Sequence, residues 1–214
     1  MRSWNLLRIA GIFLFVWFVV LKIVSRVAGR FGTATPCPAS LEWLVDNPLR
    51  LWYMRPVLSW VDIQAGETVL ELGPGPGVFT LRAAQLTGSE GLVIALDVQP
   101  AMITALGRRL EQSGTKNVLP CVADAHSLPL ENVTADRAFL ISVLPEIPDP
   151  IQAVAQLHRV LKPDGILSVT AEFTDPDYQF LFETRRLIEP VGFTMTSYHG
   201  NLWRYTVNFR KVVL

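Results

Sequence analysis

The run Val69-Leu-Glu-Leu-Gly-Pro-Gly-Pro-Gly77 constrains this chain more than any other stretch. Residues suited to a buried strand hand over to three glycines alternating with two prolines, and a helical stretch begins at Phe79. Glycine lets backbone approach a ligand closely, and the start of a helix offers free N–H groups, so the turn reads as a cofactor loop. A dinucleotide fingerprint of the form G-x-G-x-x-G needs glycine at position 78, where Val78 stands, and a nicotinamide-dependent reductase is disfavoured. A tight Gly/Pro turn without a ligand is the bland alternative. What remains is an acidic residue, Glu71, followed by Gly73, Gly75 and Gly77.

From here on the chain alternates apolar runs with helical stretches. Thr68 to Leu72, Leu92 to Asp97, Val118 to Val122, Ala138 to Ser142 and Ile166 to Ala171 are rich in Val, Ile and Leu on both faces, as buried parallel strands are. Phe79 to Leu86, Pro100 to Gln112, Ile151 to Leu161 and about Tyr178 to Ile188 read as helices. Alternation of this kind predicts an α/β fold with a doubly wound sheet and right-handed crossovers. Phe193 to His199 and Leu202 to Arg210 flank Gly200-Asn201, a two-residue turn signal, so the sheet should close with an antiparallel hairpin.

Two further carboxylates follow the loop. Asp97 ends the second strand, where a carboxylate can accept hydrogen bonds from both hydroxyls of a ribose; capping the helix that opens at Pro100 is its alternative role. Asp124 follows the third strand in Ala123-Asp-Ala-His-Ser-Leu-Pro-Leu130. With Glu71 and the three glycines, and with Arg159-Val-Leu-Lys-Pro-Asp-Gly165 leading into the fifth strand, these segments resemble the class I S-adenosylmethionine-dependent methyltransferases. The likeness is greatest to the branch containing ubiquinone and menaquinone biosynthesis enzymes.

The resemblance implies a Rossmann-like sheet of seven strands and S-adenosylmethionine as cofactor. It implies that Glu71 helps place the cofactor's ammonium group, the glycine loop cradles its methionine end, Asp97 holds the ribose, and Asp124 with Ala125 reads the adenine. Val98, Met102 and Ser142 complete the implied set of cofactor contacts. Asp164 replaces the first glycine of the family's Lys-Pro-Gly-Gly turn, a structural feature without a chemical role. After the fourth strand, where many relatives carry histidines, this chain has Leu144-Pro145-Glu146. Glu146 at that strand end is the candidate general base or acceptor-orienting group, weighed against a solvated loop carboxylate. Tyr53, Tyr178 and His199 are weaker candidates for an acceptor pocket. Methyl transfer from a sulfonium neutralises charge, so an apolar, aligned pocket supplies much of the rate, and a base is needed only for a protonated acceptor.

Composition bounds the partners. Nineteen basic and nineteen acidic residues give no net charge, which argues against nucleic acid. Two cysteines, Cys37 and Cys121, and three histidines fit no metal or redox spacing; Cys121 reads as a buried small hydrophobe. Hydrophobic residues form 50% of the chain and charged residues 18%, a balance that points to lipid contact. Ile9 to Leu21 is charge-free and apolar on every face, and flanking apolar residues lengthen it if Arg8 and Lys22 snorkel. A single membrane anchor within residues 1–30 is the leading reading; an in-plane helix, a core helix and a cleaved signal peptide compete with it. Lys22, Arg26 and Arg30 lean the catalytic domain toward the cytoplasmic side. Residues 31–62 read as a linker and two short aromatic-rich helices broken near Pro48 and Pro56, and residues 63–214 as the methyltransferase domain. The partner expected is a small, lipid-soluble acceptor at a membrane.

Overall fold

The computed structural model describes residue 20 and residues 42–212. The anchor expected over residues 1–30 therefore lies outside the described residues, Val20 apart. Among the described residues, no helix is long and apolar enough to cross a membrane.

Seven strands form one sheet in the order β3-β2-β1-β4-β5-β7-β6. These are β1 (Thr68–Leu72), β2 (Leu92–Asp97), β3 (Val118–Val122), β4 (Ala135–Ile141), β5 (Leu161–Glu172), β6 (Phe193–Asn201) and β7 (Arg204–Lys211). The first five are mutually parallel, and β7 runs antiparallel to both β5 and β6. From β1 the chain winds outward through β2 and β3, then returns to the other side of β1 as β4. Open sheets bind ligands at such a reversal, beyond the carboxyl ends of the strands.

The helices before the sheet are α1 (Glu42–Val45), α2 (Pro48–Met54) and α3 (Val57–Val61), and those within it are α4 (Thr80–Thr87), α5 (Pro100–Ser113), α6 (Pro150–Val160) and α7 (Leu181–Ile188). Successive strand residues face opposite ways. On one face Leu70, Leu72, Leu140 and Val169 pack with Val154 and Leu157 of α6. On the other, Val69, Val93 and Phe139 pack with Ala83 and Ala84 of α4 and with Met54, Val57 and Val61. The aromatic-rich stretch ahead of the sheet is thus built into the same core, in three short helices rather than two. Asn47 caps α2 through its side chain, and Pro48 occupies the first turn, where no N–H is missed.

Three local readings shift. Leu119 and Val122 are half-exposed because β3 is an edge strand, where Pro120 is tolerated and Cys121 is only partly buried. β4 ends at Ile141 because Ser142 takes a left-handed conformation with φ 59°. The hairpin turns at Leu202-Trp203 rather than Gly200-Asn201, since Asn201 pairs with Arg204. The Asn201 side chain accepts from the N–H groups of Trp203 and Arg204 at 2.9 and 3.3 Å, which fixes the turn two residues later.

Candidate cofactor and active site

The ends of β1, β2, β4 and β5 open onto a cavity of about 670 Å³. Of the eleven residues given a cofactor or catalytic role from sequence, nine line it: Glu71, Gly73, Gly75, Asp97, Val98, Met102, Ala125, Ser142 and Glu146. Gly77 and Asp124 do not.

Glu71 is 3% exposed, and its Oε2 makes no hydrogen bond within the protein. Burial pushes its carboxyl up to about 8, against the pull of the Thr80 hydroxyl and with the Asp97 carboxylate adding to the rise. A buried carboxyl with an unpartnered oxygen beside a glycine loop suits a cationic ligand group, since burying it without a partner is unfavourable. Asp97 ties two segments together: Oδ2 accepts from the Gly75 N–H at 3.1 Å and Oδ1 from the Gln99 N–H at 2.9 Å. Burial raises its pKa, and these two bonds oppose the rise. Gln99, not Asp97, is the N-cap of α5. Each Asp97 oxygen keeps a lone pair for a hydroxyl donor. The pocket residues thus fit S-adenosylmethionine at its ammonium and ribose ends.

Gly77 and Asp124 have local contacts of their own. At Gly77, φ is +87° and a Cβ would lie 2.5 Å from Cδ1 of Leu106, so this glycine lets the loop pack on α5 rather than on a ligand. Asp124 turns Oδ1 to His126, accepting from the backbone N–H at 2.9 Å and lying 2.7 Å from ring Nδ1. Those bonds, the backbone one foremost, hold its pKa low, and its side chain is 59% exposed. Ala125 lines the cavity on one side of Asp124 and Ala123 on the other, and both His126 contacts fall on the same Asp124 oxygen, Oδ1.

Glu146 sits in a short 3-10 turn, Leu144–Glu146, on the cavity wall with Ile147. Tyr178 and His199 do not line the cavity, nor does Tyr53, whose hydroxyl donates to the Trp203 carbonyl. Sequence reasoning missed a polar cluster on the β5 side. Glu172, at the tip of β5, accepts from Arg50 Nε at 2.8 Å and Nη2 at 2.6 Å, from Ser142 Oγ at 3.2 Å and from Thr174 Oγ1 at 3.0 Å. Arg50 reaches it from α2, and Asp46 just before α2 pairs with Arg109 of α5. These two ion pairs strap α2 across the cavity mouth. The signal for Glu172 was present: it is an acid at a strand tip, the feature that marked Glu71 and Asp97. Among the described residues, no group of three or more His, Cys, Asp or Glu could hold a metal ion.

Residues 63–197 match the family model described as a methyltransferase domain. A ubiquinone/menaquinone biosynthesis C-methyltransferase, UbiE, from a Marinomonas strain is 35% identical over 133 residues, covering 62% of this chain and 52% of that protein. The chain spans about half the length of the curated relatives it matches. Among solved structures, an S-adenosylmethionine-dependent methyltransferase from Aquifex aeolicus is similar, with TM-score 0.77 and 23% identity over 83% of this chain and all of that one. The [4+2]-cyclase SpnF is also similar, with TM-score 0.67 and 18% identity over 77% of this chain and 81% of that one, so the fold alone does not fix the reaction. The match over residues 63–197 is what decides: the chain belongs to the class I S-adenosylmethionine-dependent methyltransferases.

Proposed function

We propose that the chain transfers the methyl group of S-adenosylmethionine to a small, lipid-soluble acceptor drawn from a membrane. The observation that carries the reading is the two-ended cavity. Its β1–β2 end presents Glu71, Gly75 and Asp97, and its β4–β5 end sets an apolar wall of Ile141, Val143, Ile147 and Pro176 beside the polar Glu146, Glu172, Asp175 and Asp177. The bound cofactor supplies an electrophilic methyl on a cationic sulfur. Glu71 and Asp97 hold its polar groups, and the apolar wall keeps water from the acceptor and aligns it for in-line displacement.

The C-methyltransferase relative supports carbon as the acceptor atom. As the new bond to carbon forms, the bond to sulfur breaks, and the acceptor loses one proton. Glu146 is the proposed recipient of that proton. The membrane part of the reading rests on the apolar run Ile9–Leu21, with Lys22, Arg26 and Arg30 favouring a catalytic domain on the cytoplasmic side. A second reading is a tethered protein that binds the cofactor without methyl transfer, since a protein titled a [4+2]-cyclase shares this fold.

Incubating the protein with methyl-labelled cofactor, a membrane fraction and a soluble extract separates these readings. Label entering a membrane-extractable small molecule is the expected result, reduced about 10²-fold or more in Glu146→Gln. Label only in polar soluble products overturns the membrane acceptor, and cofactor binding with no label anywhere favours the second reading.

A further inference from the structure

Outside the cavity, four large apolar side chains stand in solvent: Leu49 (75% exposed) and Trp52 (66%) on α2, and Leu202 (58%) and Trp203 (59%) in the β6–β7 turn. Leu49 and Trp52, three residues apart, share one helix face. The Tyr53 hydroxyl donates to the Trp203 carbonyl at 2.9 Å, which holds α2 beside the turn. There Trp52, Tyr53, Arg55, Pro56 and Arg204 line a second depression of about 450 Å³. The Arg204 guanidinium lies over the rings of Tyr53 at 4.4 Å and Trp60 at 4.9 Å, and its buried Nε has no hydrogen-bond partner. Among the described residues, neither Arg55 nor Arg204 forms an ion pair.

We propose that this face docks on an anionic lipid bilayer, with the four apolar side chains entering the acyl boundary and Arg55 and Arg204 receiving a lipid phosphate. Tryptophan suits the depth where apolar tails meet headgroups, and a guanidinium without a carboxylate is complementary to phosphate. The chain carries no net charge to attract a bilayer from a distance, so attachment depends on this local pairing of apolar and cationic groups. The sequence ahead of α1 contains the apolar run Ile9–Leu21, a second lipid-compatible segment.

The face also touches the cavity. The Phe173 ring packs edge-on against Trp203 at 4.9 Å, and its N–H donates to the Trp203 carbonyl at 2.7 Å. Its neighbours Glu172 and Thr174 line the cavity. A bilayer seated on the turn therefore lies against the acceptor end, so the inference deepens the membrane-acceptor reading.

Hydrogen exchange on the full chain tests it, with vesicles of phosphatidylcholine alone or with one third phosphatidylserine. The expected result is that amides of residues 49–55 and 201–205 exchange about threefold or more slowly on the anionic vesicles only. Trp52→Glu with Leu202→Glu abolishes the slowing while calorimetry still detects cofactor binding. Arg55→Glu, a change at an exposed side chain, removes the preference for phosphatidylserine and serves if the first variant fails to fold. Three results overturn the proposal: vesicles carrying the chain without slowing at these amides, slowing that grows with protein concentration in their absence, or slowing reproduced by inorganic phosphate. The measurement needs no turnover, so a failure to find a methyl acceptor leaves it intact.

Discussion

Arg50 and Glu172 stand 122 residues apart in sequence, yet Nη2 of one lies 2.6 Å from Oε1 of the other, with side chains 14% and 3% exposed. Removing one member of such a pair strands a buried charge, whereas removing both does not. Glu172→Gln should lower stability by about 3–5 kcal/mol, and the double change to Met at both positions should recover most of it. Urea unfolding of the three variants checks this, and a double variant as unstable as the single one contradicts it.

Gly75 and Gly77 separate binding from folding. A Cβ at Gly77 would collide with Leu106, so Gly77→Ala should cost about 1–3 kcal/mol of stability. A Cβ at Gly75 would meet nothing within 4 Å, though its φ of +55° adds modest strain. Because Gly75 lines the cavity, Gly75→Ala should weaken S-adenosylmethionine binding more than it lowers the melting temperature. Calorimetry alongside thermal unfolding decides, and equal effects of both variants on both quantities would be inconsistent with this division.

Glu71 gives the protein a pH dependence of stated sign. Its folded pKa of about 8 lies above the ordinary 4.5, so between those values the folded state holds the proton more tightly. The stabilisation is full below about pH 4.5 and is lost as pH rises through about 8. The ligand-free protein should therefore lose roughly a few kcal/mol relative to Glu71→Gln between pH 5 and 8.5. Binding of the cofactor's ammonium favours the ionised carboxylate, so affinity for the demethylated product should rise with pH over that range. A flat affinity profile that matches Glu71→Gln contradicts the assignment.

Asp97 bonds to two backbone N–H groups while facing the cavity. An amide nitrogen in place of one oxygen would oppose an N–H donor. Asp97→Asn should thus weaken cofactor binding about 10- to 100-fold, or roughly 1.4–2.7 kcal/mol. Calorimetry at fixed pH reads it, and unchanged affinity would remove Asp97 from the site.

The sheet was legible because each strand carries its own signal: Val69 to Leu72 and Val93 to Leu96 are apolar on both faces, and the Pro100 start of α5 is marked in the chain. The meeting of Glu71, Gly75 and Asp97 at one end of the cavity was legible for the same reason, since each sits at the end of such a segment. The bond from Asp124 to His126 two residues on is a local contact that strand and helix patterns do not announce. The requirement for glycine at position 77 that Leu106 imposes comes from a different element and is not visible in the loop itself. Arg50 could not have been found, because only the three-dimensional path of α2 brings it to Glu172. The hairpin turn moved because an Asn side chain chose the residues it bonds, a preference that a dipeptide signal does not encode.

The return of the chain from β3 to the far side of β1 divides inheritance as well as space. One half of the cavity comes from the tips of β1 and β2, the other from β4, β5 and the strapped helix α2. A lineage can therefore exchange the second half, and with it the molecule that is modified, while passing on the first unchanged. Grafting α2 and residues 173–180 from another family member onto this sheet should redirect the acceptor without rebuilding the cofactor site.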